Sequence, residues 1–128
     1  MLKLILCCIV LIIFIGVSLF YTFPLAIVNG RSMLPTYKDG DVLLTTRLFN
    51  RNKLKIGQVY VYKRVNEDDG QEHLVVKRLT DVVSYPKFGL ENQCYFEGDN
   101  PEESYDSRQY GFINAEQIVS RVIWQVRK

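Results

Sequence analysis

"QVYVYKRVNEDDGQEHLVVKRL" (58–79) reads as two strands around one turn. "QVYVYKR" (58–64) and "HLVVKRL" (73–79) are rich in β-branched and aromatic residues, which fit a pleated surface. The charged "NEDDGQE" (66–72) between them carries an Asp-Gly pair, a signal for an exposed hairpin tip. Side chains alternate across a strand. Val75, Lys77 and Leu79 therefore share one face, and Leu74, Val76 and Arg78 the other. A lysine flanked on its own face by two aliphatic residues is placed for desolvation, which lowers its pKa.

Further strand-like runs lie on either side of the hairpin. "DVLLTT" (41–46) precedes it, and "DVVSY" (81–85), "QCYFEG" (93–98) and "QIVSRVIWQV" (117–126) follow. "KDGD", "YPKFG" and "GDNPEES" supply turns between them. "INAEQIVSRV" could open with a helical turn before its strand. No long amphipathic helix is evident after residue 30, so residues 29–128 read as one small, mainly antiparallel β domain.

The first 28 residues are of another kind. "LILCCIVLIIFIGVSLF" (4–20) has no charge, and Lys3 is the one charged side chain before Arg31. A bilayer core of about 30 Å takes roughly 20 apolar residues in a helix. The run reads as a membrane span, and no small-X-small cleavage site of a secretory leader follows it. Tyr21 and Phe23 suit the interface. Basic residues lie on both sides of the span, so the positive-inside rule leaves its orientation open.

A formal net charge of +2 gives no electrostatic case for nucleic-acid binding. Of the three cysteines, Cys7 and Cys8 lie within the span and Cys94 in the polar part, which predicts no internal disulfide.

Three stretches could carry chemistry: "SMLPT" (32–36), "VVKRL" (75–79) and "GDNPEESYDSRQYGFI" (98–113). In that order, after a membrane helix, they resemble the motifs of the type I signal peptidases, membrane-bound serine proteases with a Ser–Lys dyad. The third stretch is the most specific, because its Gly-Asp-Asn is followed at fixed spacing by Ser-X-Asp-Ser-Arg and Tyr-Gly. The resemblance covers essentially the whole chain and suggests a short member of bacterial type. It implies a mainly β fold, with an N-terminal single transmembrane helix followed by a small antiparallel β-sheet catalytic domain of signal peptidase/LexA-like type.

The resemblance also assigns roles. Ser32 matches the nucleophile and Lys77 the general base. A serine hydroxyl needs such a base, and a lysine serves only when neutral, with its pKa brought down from about 10.4 towards 7–8. Arg78 could not substitute, because a guanidinium does not deprotonate. Ser104 matches the serine that hydrogen-bonds the lysine. Asp99, Asp106 and Arg108 match the polar network around it, and Asp106 with Arg108 could form a charge-assisted pair.

Met33, Val75 and Val76 are candidate walls of a substrate pocket. The backbone N–H of Ser32 is the candidate oxyanion donor. Gly30 stands where some members carry a second, hydroxyl donor, so that donor is unidentified. His73 shares a face with Lys77 but reads more simply as a surface histidine near the hairpin tip.

The implied reaction is cleavage of N-terminal signal peptides from exported preproteins after small residues of Ala-X-Ala type, through an acyl-enzyme. The expected partners are such preproteins and the lipid bilayer, without nucleic acid, metal or organic cofactor. The expected location is the cell inner (cytoplasmic) membrane, with the catalytic domain on its outer or periplasmic side.

Two departures stand out. Members usually continue Lys-Arg with Val-X-Gly-Leu-Pro-Gly-Asp, where this chain has "KRLTDVVSYPKFG" (77–89), and the large inserted β region of longer members is absent. Both imply a minimal catalytic core, and they motivate an alternative: a dedicated maturation peptidase for one or a few pilus or conjugation substrates. A self-cleaving repressor shares the Ser–Lys chemistry, but the span and the lack of a DNA-binding helical domain oppose that reading. A catalytically idle membrane-anchored binding module is the alternative from another class.

Overall fold

The computed structural model describes residues 1–127, with Leu90 and Arg127 by backbone alone. Lys128, the last residue of the expected β domain, lies outside the described residues. Helix α1 (Leu2–Thr22) has 21 residues, and none of them is buried against the rest of the chain. It is long and apolar enough to cross a membrane. Its end is tied to the sheet: Arg47 N–H donates to the Thr22 carbonyl at 3.0 Å, and the Arg47 guanidinium lies over the Tyr21 ring at 4.1 Å.

Seven strands form one antiparallel sheet. They are β1 (Leu25–Ile27), β2 (Val42–Thr46), β3 (Val59–Val65), β4 (Glu72–Tyr85), β5 (Leu90–Glu97), β6 (Ile113–Asn114) and β7 (Ile118–Arg127). Their order across the sheet is β1-β2-β7-β3-β4-β5-β6.

The expected hairpin is β3–β4, with Val59 opposite Arg78 and Val65 opposite Glu72. "HLVVKRL" and "DVVSY", read as separate runs, belong to one strand of 14 residues. Thr80 does not break it, because an irregularity in the pairing with β5 between Leu79 and Asp81 absorbs the residue. The sheet also reaches back to Leu25, ahead of residue 29, because β1 pairs with β2. The expected helical turn before the last strand spans Ala115–Gln117.

β3 lies between β7 and β4, and Val59, Tyr60, Val61 and Tyr62 are all buried. Burial on both faces explains its continuous apolar run. Tyr60, Tyr62, Leu79, Phe96 and Ile118 belong to one buried cluster. Val59, Val61, Leu43 and Val122 belong to a second, together with Val28 and Met33 from the segment after β1. Val75 packs with the first cluster and Val76 with the second, the alternation expected of a strand. Cys94 lies in the first cluster, and its thiol is pushed up to about 11 by burial. Cys7, Cys8 and Cys94 are free.

Phe96 is fully buried, stacked on Tyr62 at 4.5 Å between centroids and edge-on to Tyr60 at 6.2 Å. Phe96→Ala should lower stability by about 3–5 kcal/mol in denaturant titration, the cost of a large core cavity. Phe88→Ala, at an exposed ring, should change it by less than about 0.5 kcal/mol.

Candidate active site

Ser32 lies in a turn between β1 and β2, and Lys77 lies in β4. Val28 and Met33, on either side of Ser32, are both buried in the second cluster. Their burial seats the turn on the sheet. Lys77 Nζ is 2.6 Å from Ser32 Oγ, in hydrogen-bond contact. Lys77 is only 5% exposed. Burial lowers its pKa from 10.5; the Asp106 carboxylate opposes that shift and Arg108 assists it.

β4 pairs with β3 on one side from Glu72 to Arg78. On its other side pairing with β5 begins only at Arg78. From Glu72 to Lys77 that edge pairs with no strand among the described residues. A cavity of about 190 Å³ opens there, lined by Ser32, Lys77, Ile27, Val28 and the three expected residues Met33, Val75 and Val76. Pockets for drug-sized ligands hold about 300–1,000 Å³, so this one suits a small side chain. Met33 is 0% exposed, so it packs the core and walls the cavity at once.

Residues 98–108 brace the site from the opposite side. Asp106 is 0% exposed, and its carboxylate accepts five hydrogen bonds. The donors are Gly98 N–H at 2.8 Å, Ser104 Oγ at 2.5 Å, and the backbone N–H, Nε and Nη2 of Arg108. Burial by itself would raise the Asp106 pKa, but the bonds from Arg108, Gly98 and Ser104 hold it well below the usual carboxylate range. The expected Asp106–Arg108 pair is thus formed. Ser104 turns its hydroxyl to Asp106, and no Ser104–Lys77 hydrogen bond occurs among the described residues.

Asp99 binds Arg78 through two bonds, at 2.8 and 2.5 Å, and accepts a third from Thr36 Oγ1 at 2.5 Å. Burial raises its pKa and these bonds overcome the rise, leaving it lowered. The three motifs therefore meet at one point, because Thr36 follows Ser32, Arg78 follows Lys77, and Asp99 joins them.

Arg78, Thr36 and Gly98 also support the site, and no local sequence pattern marks them for it. A Cβ on Gly98 would lie 2.5 Å from the Ser32 carbonyl oxygen and overlap Ser104, so only glycine lets the two segments approach this closely. His73 does not join the site; its Nε2 lies 2.9 Å from Asp69 Oδ2 at the exposed hairpin tip. No group of three or more His, Cys, Asp or Glu side chains is arranged to hold a metal ion among the described residues.

The model of the family described as "Signal peptidase, peptidase S26" matches residues 55–126. The chain belongs to the signal peptidase S26 family. The matched region contains Lys77, Asp99, Ser104, Asp106 and Arg108, and Ser32 precedes it. The chain is also similar to the "Mitochondrial ATP-independent inner membrane protease subunit 2" of Arabidopsis thaliana. The two are 31% identical over 116 residues, which take in 77% of this chain. The match spans 55% of that relative's length. The family match and the apolar helix α1 agree with a membrane-associated member of S26.

Because the folded state depresses the Asp106 pKa, its contribution to stability is in place above the unfolded value of about 4 and is lost as the pH falls below it. Asp106→Asn should therefore cost about 2 kcal/mol at pH 7, since its partner Arg108 is partly solvated. The gap to wild type should narrow below about pH 4 in denaturant titrations.

Proposed function

We propose that this chain is a membrane-bound serine endopeptidase that removes N-terminal signal peptides from exported preproteins. The observation that carries the reading is the 2.6 Å contact between a buried lysine amine and one serine hydroxyl. Family membership supports it at the level of signal-peptide processing.

Neutral Lys77 takes the proton of Ser32 as Oγ attacks the scissile carbonyl. Ser32 N–H, which has no hydrogen-bond partner among the described residues, stabilises the developing oxyanion. Lys77 passes its proton to the leaving amine and the acyl-enzyme forms. Neutral Lys77 then activates the water that frees Ser32.

The substrate adds as an extended strand along the unpaired edge of β4, Glu72–Lys77. The cavity walled by Met33, Val75 and Val76 takes a small side chain, which favours cleavage after residues such as alanine. Helix α1 holds the site at the cytoplasmic (inner) membrane with the sheet on its outer side. Enzyme and membrane-borne substrate then share one layer, and part of the orientation is supplied before they meet.

Asp99, Ser104, Asp106 and Arg108 act through position. Asp99 and Arg78 fix the turn that carries Ser32 against β4. Arg108 pairs with the ionised Asp106, and Ser104 and Arg108 together hold it near Lys77.

Membranes containing wild type should cleave a model preprotein with an Ala-X-Ala site, and Ser32→Ala should reduce cleavage to background. Lys77→Met should do the same, and Lys77→Arg should not restore activity because arginine stays charged. kcat/KM of wild type should rise with pH through a single ionisation below 10.5. Lysine's folded pKa is lowered, so wild-type stability should rise relative to Lys77→Met as pH climbs towards 10.5. Cleavage by Lys77→Met at the wild-type rate at neutral pH would refute the dyad. A panel of unrelated preproteins measures breadth, and cleavage of several would exclude a dedicated maturation role.

A further inference from the structure

The Ser32 N–H is one end of a planar peptide group whose other end is the Arg31 carbonyl. That peptide is trans, so the N–H and C=O point in opposite directions, and fixing one aims the other. The Arg31 carbonyl accepts from Asn100 Nδ2 at 3.1 Å and from Leu34 N–H at 3.2 Å. The backbone N–H of Asn100 donates to the Ser32 carbonyl at 2.9 Å. Asn100 thus holds the carbonyl ends of both peptide groups that flank Ser32.

The local role of an asparagine at this place is unused. Asn100 precedes the short helical turn Pro101–Glu103, where an asparagine side chain ordinarily caps the turn's own N–H groups. It makes no such bond. Its amide reaches instead across 69 residues of sequence to Arg31. The close approach that Gly98 permits brings it within range.

We propose that Asn100 is a positioning residue for acyl transfer: its side-chain amide, bound to the Arg31 carbonyl, aims and polarises the Ser32 N–H that receives the oxyanion. The inference rests on the Ser32–Lys77 peptidase reading. A donor on the carbonyl draws electron density through the amide and makes its N–H a stronger donor. A donor fixed in advance also needs no reorganisation as charge develops. Leu34 N–H shares the same carbonyl, so the turn persists without Asn100, and the loss falls on aim. Deleting an oxyanion donor outright costs about 10²–10³-fold in kcat. Loosening one from behind should cost about tenfold, the worth of one ordinary hydrogen bond.

The test uses the full chain in detergent or liposomes, with an Ala-X-Ala peptide as substrate and Ser32→Ala as control. Steady-state kcat and KM are measured for Asn100→Ala and Asn100→Asp. So are the pH profile and inhibition by a peptide aldehyde ending in alanine, which captures a tetrahedral adduct on serine. Asn100→Ala should lower kcat about tenfold, leave KM and the acidic limb of the pH profile in place, and weaken the aldehyde in proportion. Asn100→Asp, which sets an acceptor against the Arg31 carbonyl, should lose more. A structural role would shift KM and the pH limb together with kcat. A wild-type kcat in Asn100→Ala, a fall in kcat with unchanged aldehyde inhibition, or a variant that no longer folds would each overturn the inference. None of these outcomes touches the peptidase reading, which fails separately if wild type does not cleave or if Ser32→Ala does.

Discussion

Everything at the site depends on keeping the Lys77 amine out of water. An ammonium in solvent keeps its proton at neutral pH and cannot serve as a base. Lys77 instead ends in hydrogen-bond contact with Ser32, at a position almost closed to solvent. The same burial that lowers its pKa requires neighbours that do not reverse the effect. Asp106 and Asp99 are the neighbours that pull the pKa back up. Each is bound by an arginine of its own: Arg108 on Asp106, and Arg78 on Asp99. The carboxylates stay ionised and ordered, yet much of their charge is spent before it reaches the amine.

The same bonds join parts of the chain that are far apart in sequence. Ser32 comes from a turn after β1, Lys77 from β4, and the Gly-Asp-Asn triplet from the end of β5. Gly98 lets the chains touch, Asp99 links Thr36 to Arg78, and Asn100 holds the backbone around Ser32. Two rigid supports stand behind them. Burial of Val28 and Met33 fixes the serine turn to one cluster. β3, buried on both faces, backs the strand that carries Lys77.

Much of this was legible in the sequence. The β3–β4 hairpin and the later strands followed from β-branched runs and turn residues, and the apolar helix from an uncharged run too long for an ordinary core element. β1 and β6 were not legible. Each is two or three residues long, and its pairing partner lies about 20 residues away, so no local pattern announces it. The polar pair Thr80–Asp81 separates two apolar runs in the sequence, and the bulge in β4 that carries the strand through Thr80 shows only in its pairing with β5. At the site, residue types that can make a nucleophile and a base were readable, as was the Asp106–Arg108 pair. The direction of the Ser104 hydroxyl was not, because it depends on which acceptor tertiary packing brings nearest. The parts played by Arg78, Thr36 and Asn100 likewise appear only when three distant segments come together.

The charge state of Lys77 can be observed directly by NMR titration of selectively labelled lysine side chains in the full chain in detergent micelles. The account predicts one lysine signal that titrates well below the ordinary value of about 10.4, disappears in Lys77→Met, and changes when an acylating inhibitor occupies Ser32. A Lys77 signal that titrates with the surface lysines would contradict it, because the amine would then remain an ammonium at neutral pH.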